Sequence, residues 1–214
     1  MSRPGLFITF EGLDGCGKST QMQILAGRLR AAGETVIVTV EPGGTSIGGG
    51  IRRILLDHAN HGMSPTAELL LYFAARAQNL DEILLPALAR GEIVISDRWT
   101  DSTWAYQGFG RRLGTEVVAA LDQIACRGRR PDLTLWVDLD LDECLARKAA
   151  RNQSGAADRM DAQSRAFYER VEEGYRLLAV AEPGRVVRID GRGSPAEVAE
   201  RVWTAWTEAR RSRV

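Results

Sequence analysis

Residues 12–19 read GLDGCGKS, which satisfies the spacing G-x-x-x-x-G-K-[ST]. Few short patterns constrain a fold so strongly. Successive backbone N–H groups must converge on one anion, and side chains on the loop would obstruct them, so Gly12, Gly15 and Gly17 share one purpose. The pattern also needs a strand before it and a helix after it, because the helix N-terminus adds its own unbonded N–H groups. Both flanks comply. "LFITF" (6–10) is a short apolar run, and "KSTQMQILAGRLRAAG" has helical periodicity with Gly33 as its C-terminal stop. One residue is out of place: Asp14 puts an anion where an anion is to be held.

Further along, "TVIVTV" (35–40), "EIVIS" (92–96), "LTLWVDL" (133–139) and "RVVRI" (185–189) read as buried strands, each followed by a helical segment. This alternation predicts an α/β chain with the P-loop NTPase fold, a five-stranded parallel sheet with helices on both faces. Ligands of such sheets bind beyond the carboxyl ends of the strands. The unusual loops "EGLDGCGKST", "EPGG" and "DRW" all fall there, which points to one site. With 214 residues and no repeat or linker, one domain over 1–214 is expected. Acidic and basic residues number 28 each, so no overall field favours nucleic acid or membrane. Cys16, Cys126 and Cys144 lack metal-ligand spacing, and "MSRPGLFITF" is too short an apolar start for a signal peptide. A soluble cytoplasmic protein is expected.

The loop suggests the chemistry. Gly12, Leu13, Asp14, Gly15, Cys16, Gly17, Lys18, Ser19 and Thr20 would surround the phosphates of ATP. Lys18 would neutralise the β- and γ-phosphates, and the Ser19 hydroxyl suits Mg²⁺. Asp97 ends an apolar strand, where its charge would serve either a Mg²⁺-bound water or an internal basic partner.

A second set of residues suggests a second ligand. In "SPTAELLLYFAARAQNLDEILLPALARG", Ser64 is a helix N-cap and Pro65 the first helical residue. Positions 69, 72, 73, 76, 80, 83, 84 and 87 share one face, and Arg76 interrupts its apolar stripe. Arg76 either snorkels or pairs with an internal carboxylate, or it donates hydrogen bonds to a flat heterocycle stacked on Tyr72 one turn earlier. "SDRWTDSTWAYQGFGR" (96–111) adds Arg98, Ser102, Thr103, Tyr106 and Gln107, and "EPGGTSIGGGIRR" adds Glu41, Pro42 and the pair Arg52–Arg53.

Together these segments resemble the bacterial thymidylate kinase family over nearly the whole chain. The resemblance rests on "FEGLDGCGKST", "EPGGT", "LLLYFAARAQ", "SDRWTDSTWAYQG" and "RPDLTLWVDLD", in that order. It implies transfer of the γ-phosphoryl group of ATP to dTMP, giving dTDP, with Mg²⁺ as cofactor and a homodimer as the assembly. Arg76 would then meet a thymine carbonyl, Thr103 the base edge, and Tyr72 the base face, where the family usually has Phe. Tyr106 would occupy the space of a ribose 2′-hydroxyl. Arg98 and Arg52 would hold the acceptor phosphate, with Glu41, Pro42, Ser102 and Gln107 completing the site. Asp14 would face the acceptor's 3′-hydroxyl and Arg98, with a metal-bound water as an option. The adenine of ATP would lie near "DGRGSP" (190–195).

Leu13, Asp14, Gly15 and Cys16 supply no cation inside the loop, which matches the family type that brings arginines on a lid. That short lid is expected at about 147–161, within "CLARKAARNQSGAADRMDAQSR". Arg147 and Arg151 share a helical face there, and Arg159 follows a Gly-containing stretch. Arg151 is the first choice for the transition-state cation and Arg159 the second. Two rivals remain at this point: a kinase of a different acceptor, and a regulatory ATP-binding module without turnover.

Overall fold

The computed structural model describes residues 4–152 and 158–211, without the side chains of 151 and 152. All five predicted strands form, within a residue or two of their expected ends: β1 (Leu6–Glu11), β2 (Val36–Val40), β3 (Ile93–Asp97), β4 (Leu133–Asp138) and β5 (Val186–Asp190). They make one parallel sheet in the order β2-β3-β1-β4-β5. The strand bearing the glycine loop is therefore central, and its neighbours' C-terminal loops flank that loop on either side.

Period-2 alternation splits the sheet's side chains between two cores. Ile8, Phe10, Ile93 and Ile95 face a cluster that includes Leu25 and Leu29 of α1 (Lys18–Ala31), Val171 and Tyr175 of α8 (Arg165–Ala181), and Val202 and Trp206 of α9 (Pro195–Arg211). Phe7 and Val94 face the other, with Leu69 and Phe73 of α3 (Pro65–Asn79) and Val118 of α6 (Thr115–Ala125). Both faces are covered, as near-continuous apolar strands require.

Local chemistry sets the helix ends. Ser64 Oγ accepts from Ala67 N at 3.2 Å and Pro65 opens α3, while Gly33, at φ +87°, lets the chain leave α1. Where the stripe through 69–87 predicts one regular helix, the structure inserts a π-helical turn, Leu80–Leu84, between α3 and α4 (Leu85–Ala89). A second π-helical stretch, Trp104–Gly110, continues α5 (Thr100–Thr103). The remaining helices are α2 (Ser46–Leu56) and α7 (Leu141–Asn152). No helix among the described residues is long and apolar enough to cross a membrane.

Candidate active site

The loop between β1 and α1 is pressed against its surroundings. A Cβ on Gly15 would lie 2.5 Å from the Cys144 carbonyl oxygen on α7, so no side chain fits there. At Gly17 space is open and the need is conformational, φ +93°. Leu13 and Cys16 bury their side chains in the core, leaving Thr20 and the Ser19 hydroxyl exposed. α1 opens at Lys18 with no capping side chain and no acidic residue in its first turn. Its first N–H groups are thus kept for an external anion. The burial of Cys16, which raises its thiol's pKa, argues against reactivity towards thiol reagents despite its place in the loop.

Asp14 turns away from the cradle. Its Oδ1 accepts from Lys18 Nζ at 3.2 Å and from Arg98 Nη2 at 2.8 Å. Burial would raise its carboxyl; Lys18 and Arg98 overcome that and hold it well below the usual carboxylate range. Arg98 itself follows β3 with φ +75°, an unfavourable conformation for any residue with a Cβ. The turn is what sends its guanidinium back over the loop. There it also donates to Ser102 Oγ at 2.8 Å and Tyr106 Oη at 3.2 Å, and lies over the Tyr106 ring at 4.8 Å.

Behind Arg98 opens a cleft of about 290 Å³. Asp14, Glu41, Pro42, Arg52, Tyr72, Arg76, Arg98, Ser102, Thr103, Tyr106 and Gln107, every residue expected at the acceptor, line it. Arg76 is fully buried, donates to Thr103 Oγ1 at 2.9 Å, and lies over the rings of Phe73 and Trp99 at 5.0 and 5.4 Å. Arg76 does not snorkel to the surface, and an internal carboxylate, Glu41, lies close to it. Its Nε is 3.9 Å from Glu41 Oε2, too long for a hydrogen bond, and remains unpartnered on the cleft. Burial pushes the Glu41 carboxyl up to about 8, against the pull of Arg76. Arg52 is steadied by the Pro42 carbonyl at 2.7 Å, and Gln107 by Glu68 at 2.8 Å.

The cleft also contains Leu56, Asp158 and Met160, which sequence reasoning did not assign to it. Leu56 is an ordinary apolar helix end, and the other two arrive from a distant segment. Behind the wall, Glu11 and Tyr175 were missed as well. Glu11 did carry a signal, a carboxylate ending an apolar strand, whereas Tyr175 looks like any core aromatic.

On the loop's outer side, Ser19 Oγ donates to Asp97 Oδ2 at 2.6 Å. A hydroxyl and one carboxylate are hard oxygen donors, and no larger His/Cys/Asp/Glu cluster suited to a metal exists among the described residues. That suits Mg²⁺, which takes few protein ligands and keeps waters and phosphate oxygens. Asp97 is therefore better placed than Asp14, which is committed to Lys18 and Arg98.

The lid residues divide. Arg147 Nη1 reaches the Gly15 carbonyl at 3.5 Å while its Nη2 pairs with Glu143 at 2.5 Å. The side chain of Arg151 lies outside the described residues. For Arg159 the geometry runs against a free transition-state cation: it is buried, donates to the Leu55 carbonyl at 2.7 Å and pairs with Glu68 at 2.6 Å. A guanidinium held by a buried carboxylate serves as an anchor. The loop after β5 lies on the opposite side from the cleft, tied to β4 by Gly191 N and the Asp138 carbonyl at 2.7 Å.

A phosphate loop alone fits switches, motors and kinases equally. Here a second, cation-lined cleft opens one strand over, and a single carboxylate–arginine pair joins the two. That defines the class: a P-loop kinase that brings ATP to a small phosphorylated acceptor. The family model for thymidylate kinase matches residues 10–202. The thymidylate kinase of Geobacter sulfurreducens is 52% identical over 190 residues, 87% of this chain and 89% of that one. That of Trichlorobacter lovleyi is 48% identical over 200 residues, covering 92% and 94%. The crystal structure of thymidylate kinase from Ehrlichia chaffeensis superposes with a TM-score of 0.77 at 31% identity, covering 95% of this chain and 99% of that one. The chain belongs to the thymidylate kinase family, phosphotransferases that pass the γ-phosphoryl group of ATP to dTMP.

Proposed function

We propose that this chain converts dTMP to dTDP at the junction of the two clefts, with the base held on Tyr72 and Arg76. The observation that carries the reading is the Asp14–Arg98 pair, at 2.8 Å, which stands between phosphate loop and cleft. Two phosphates brought to that junction meet end to end, the geometry that in-line transfer needs. Thr103 fixes Arg76 and completes the base edge. Arg98 and Arg52 hold the acceptor phosphate, and Tyr106, pinned by Arg98, narrows the space beside the sugar. Asp14 keeps Arg98 turned towards the acceptor.

Lys18 and the N-terminus of α1 hold the donor's β- and γ-phosphates. Ser19 and Asp97 are the residues to hold Mg²⁺, which would neutralise charge building on the transferring oxygens. The acceptor phosphate is already ionised, so no strong general base is needed. Arg147 joins the donor side from α7, and Arg151, next along that helix face, is the candidate for stabilising the transferring phosphoryl group. Arg159 is the anchor at the far end of the expected lid over about 147–161, of which residues 153–157 lie outside the described residues.

The chain reads as one kinase domain acting on free nucleotides, without nucleic acid. Its three cysteines are free and buried, which supports a reducing compartment, the cytoplasm. Ile47 and Ile54 on α2, Leu70 on α3 and Val117 on α6 are exposed apolar residues on neighbouring helices. They support pairing of two copies through that face, which light scattering of the purified chain measures as a doubled mass.

The test is ADP release from Mg·ATP with dTMP, dUMP, dCMP, dGMP, AMP or thymidine as acceptor. The strongest response is expected with dTMP, a weaker one with dUMP, and none with the others. A preference for another monophosphate would overturn the roles given to Tyr72, Arg76 and Tyr106.

A further inference from the structure

Glu11 ends β1, immediately before the first glycine of the phosphate loop, and is completely buried. A carboxyl group in such a place is costly unless its hydrogen bonds are satisfied. They are, and all its partners lead to one residue. Glu11 Oε1 accepts from the Trp99 backbone N–H at 2.8 Å, the peptide on the C-terminal side of Arg98. Glu11 Oε2 accepts from the Ser102 hydroxyl and from Tyr175 Oη at 3.2 Å. Those same hydroxyls accept from Arg98 Nη1, at 2.8 Å and 3.2 Å, and are 2.8 Å from one another.

Arg98 is thus held twice through one buried group. Its backbone is set in the left-handed conformation, φ +75°, by two flanking N–H bonds: its own to the Phe10 carbonyl at 3.0 Å, and that of Trp99 to Glu11. Its guanidinium rests on the hydroxyl pair that Glu11 orients. None of this is needed to close the sheet, since β1 and β3 are already paired through five positions, Leu6–Phe10 against Ile93–Asp97.

We propose that Glu11 is a positioning residue for phosphoryl transfer, acting through Ser102, Tyr175 and the Trp99 peptide to aim Arg98 at the acceptor phosphate. It touches neither nucleotide. Because Gly12 follows it directly, the same side chain sets the register between the loop that holds the donor and the arginine that holds the acceptor. This inference rests on the reading of Arg98 as the acceptor's phosphate clamp. It adds a residue to that clamp that points away from the cleft.

The experiment is a double-mutant cycle on the full chain with Mg·ATP and dTMP, comparing Glu11→Gln, Arg98→Ala and the double variant, with folding checked by thermal melting. Burial pushes the Glu11 carboxyl up to about 8, and even with one proton its Oε2 can still accept a hydrogen bond; glutamine keeps the shape and an acceptor for Trp99 N–H but directs two donors and no acceptor at the two hydroxyls. Glu11→Gln is expected to lower kcat/KM for dTMP about tenfold, the scale of one misdirected buried hydrogen bond, while KM for ATP stays within about twofold. In the Arg98→Ala background the same substitution is expected to change kcat/KM by less than about twofold, because the group it aims is gone. Tyr175→Phe, which removes one of the two hydroxyls and no volume of the ring, should reproduce part of the loss in the same Arg98-dependent way. Equal losses from Glu11→Gln in both backgrounds would overturn the proposal and make Glu11 a structural residue of the sheet. Full activity of Arg98→Ala would instead sink the clamp reading itself, and the two failures are separate results.

Discussion

The two sides of the phosphate loop are built differently. On the β3 side the cleft is made of cross-bonded groups that are buried or half-buried: Arg76 on Thr103, Arg98 on Asp14 and Ser102, Gln107 on Glu68. On the β4 side the two arginines nearest the loop and the strand ends are exposed and paired with neighbours in sequence, Arg147 with Glu143 and Arg192 with Asp190. Water screens the second kind of charge and leaves long side chains free, so pairs like these contribute little to stability and reorganise at little cost. The first kind is fixed before any ligand arrives, and a mismatched ligand leaves buried donors unpaired. Selectivity should therefore reside on the β3 side and motion on the β4 side.

The largest test of that division is Lys18→Ala, which should cut turnover by about 10³-fold or more while leaving KM for dTMP within a few-fold. An acceptor KM that rose in parallel would show that the sides do not act separately. Next in size is Arg76→Ala, expected to lower kcat/KM for dTMP by about 10²-fold and to erode preference over dCMP, with KM for ATP unmoved. Steady-state kinetics on both substrates read each outcome.

The same contrast has a pH signature. The Glu41 carboxyl is raised to about 8 by burial, so the stability tied to its protonated form is complete below the ordinary carboxylate range and is lost as pH rises through about 8. Glu41→Gln should therefore gain melting temperature relative to the parent between about pH 5 and pH 8.5, by a few degrees. A constant difference across that window would mean that Glu41 is ionised throughout. The smallest effect is expected from Tyr72→Phe, which keeps the ring on the cleft and should alter kcat/KM for dTMP by no more than about twofold. A larger loss would give the hydroxyl a part in acceptor binding.

How much of this was legible in the chain follows the same division. The strands were readable because both faces are covered and the runs are apolar throughout, and the loop because its glycines serve local needs. The acceptor residues were readable where a polar side chain broke an apolar stripe, as Arg76 does. Asp158 and Met160 could not be found this way, because they reach the cleft from a segment about eighty residues beyond Arg76 whose placement depends on the buried pairing of Arg159 with Glu68. Arg159 was misread for the complementary reason: a cation after a glycine-containing stretch looks free until its carboxylate partner on α3 is known. Both π-helical turns were also invisible, since an extra residue in one turn shifts a stripe without erasing it.

The backbone of Arg98 sets stability and activity against one another. A left-handed residue with a Cβ costs about 1–2 kcal/mol that glycine does not, so the protein carries a standing penalty at the position that aims its acceptor arginine. Of two substitutions that delete the charge, Arg98→Gly should leave a chain about 1 kcal/mol more stable in denaturant melts than Arg98→Ala, with kcat/KM for dTMP lowered to the same extent. Selection for robustness alone would thus drift towards glycine at this turn, and only turnover holds the arginine in place.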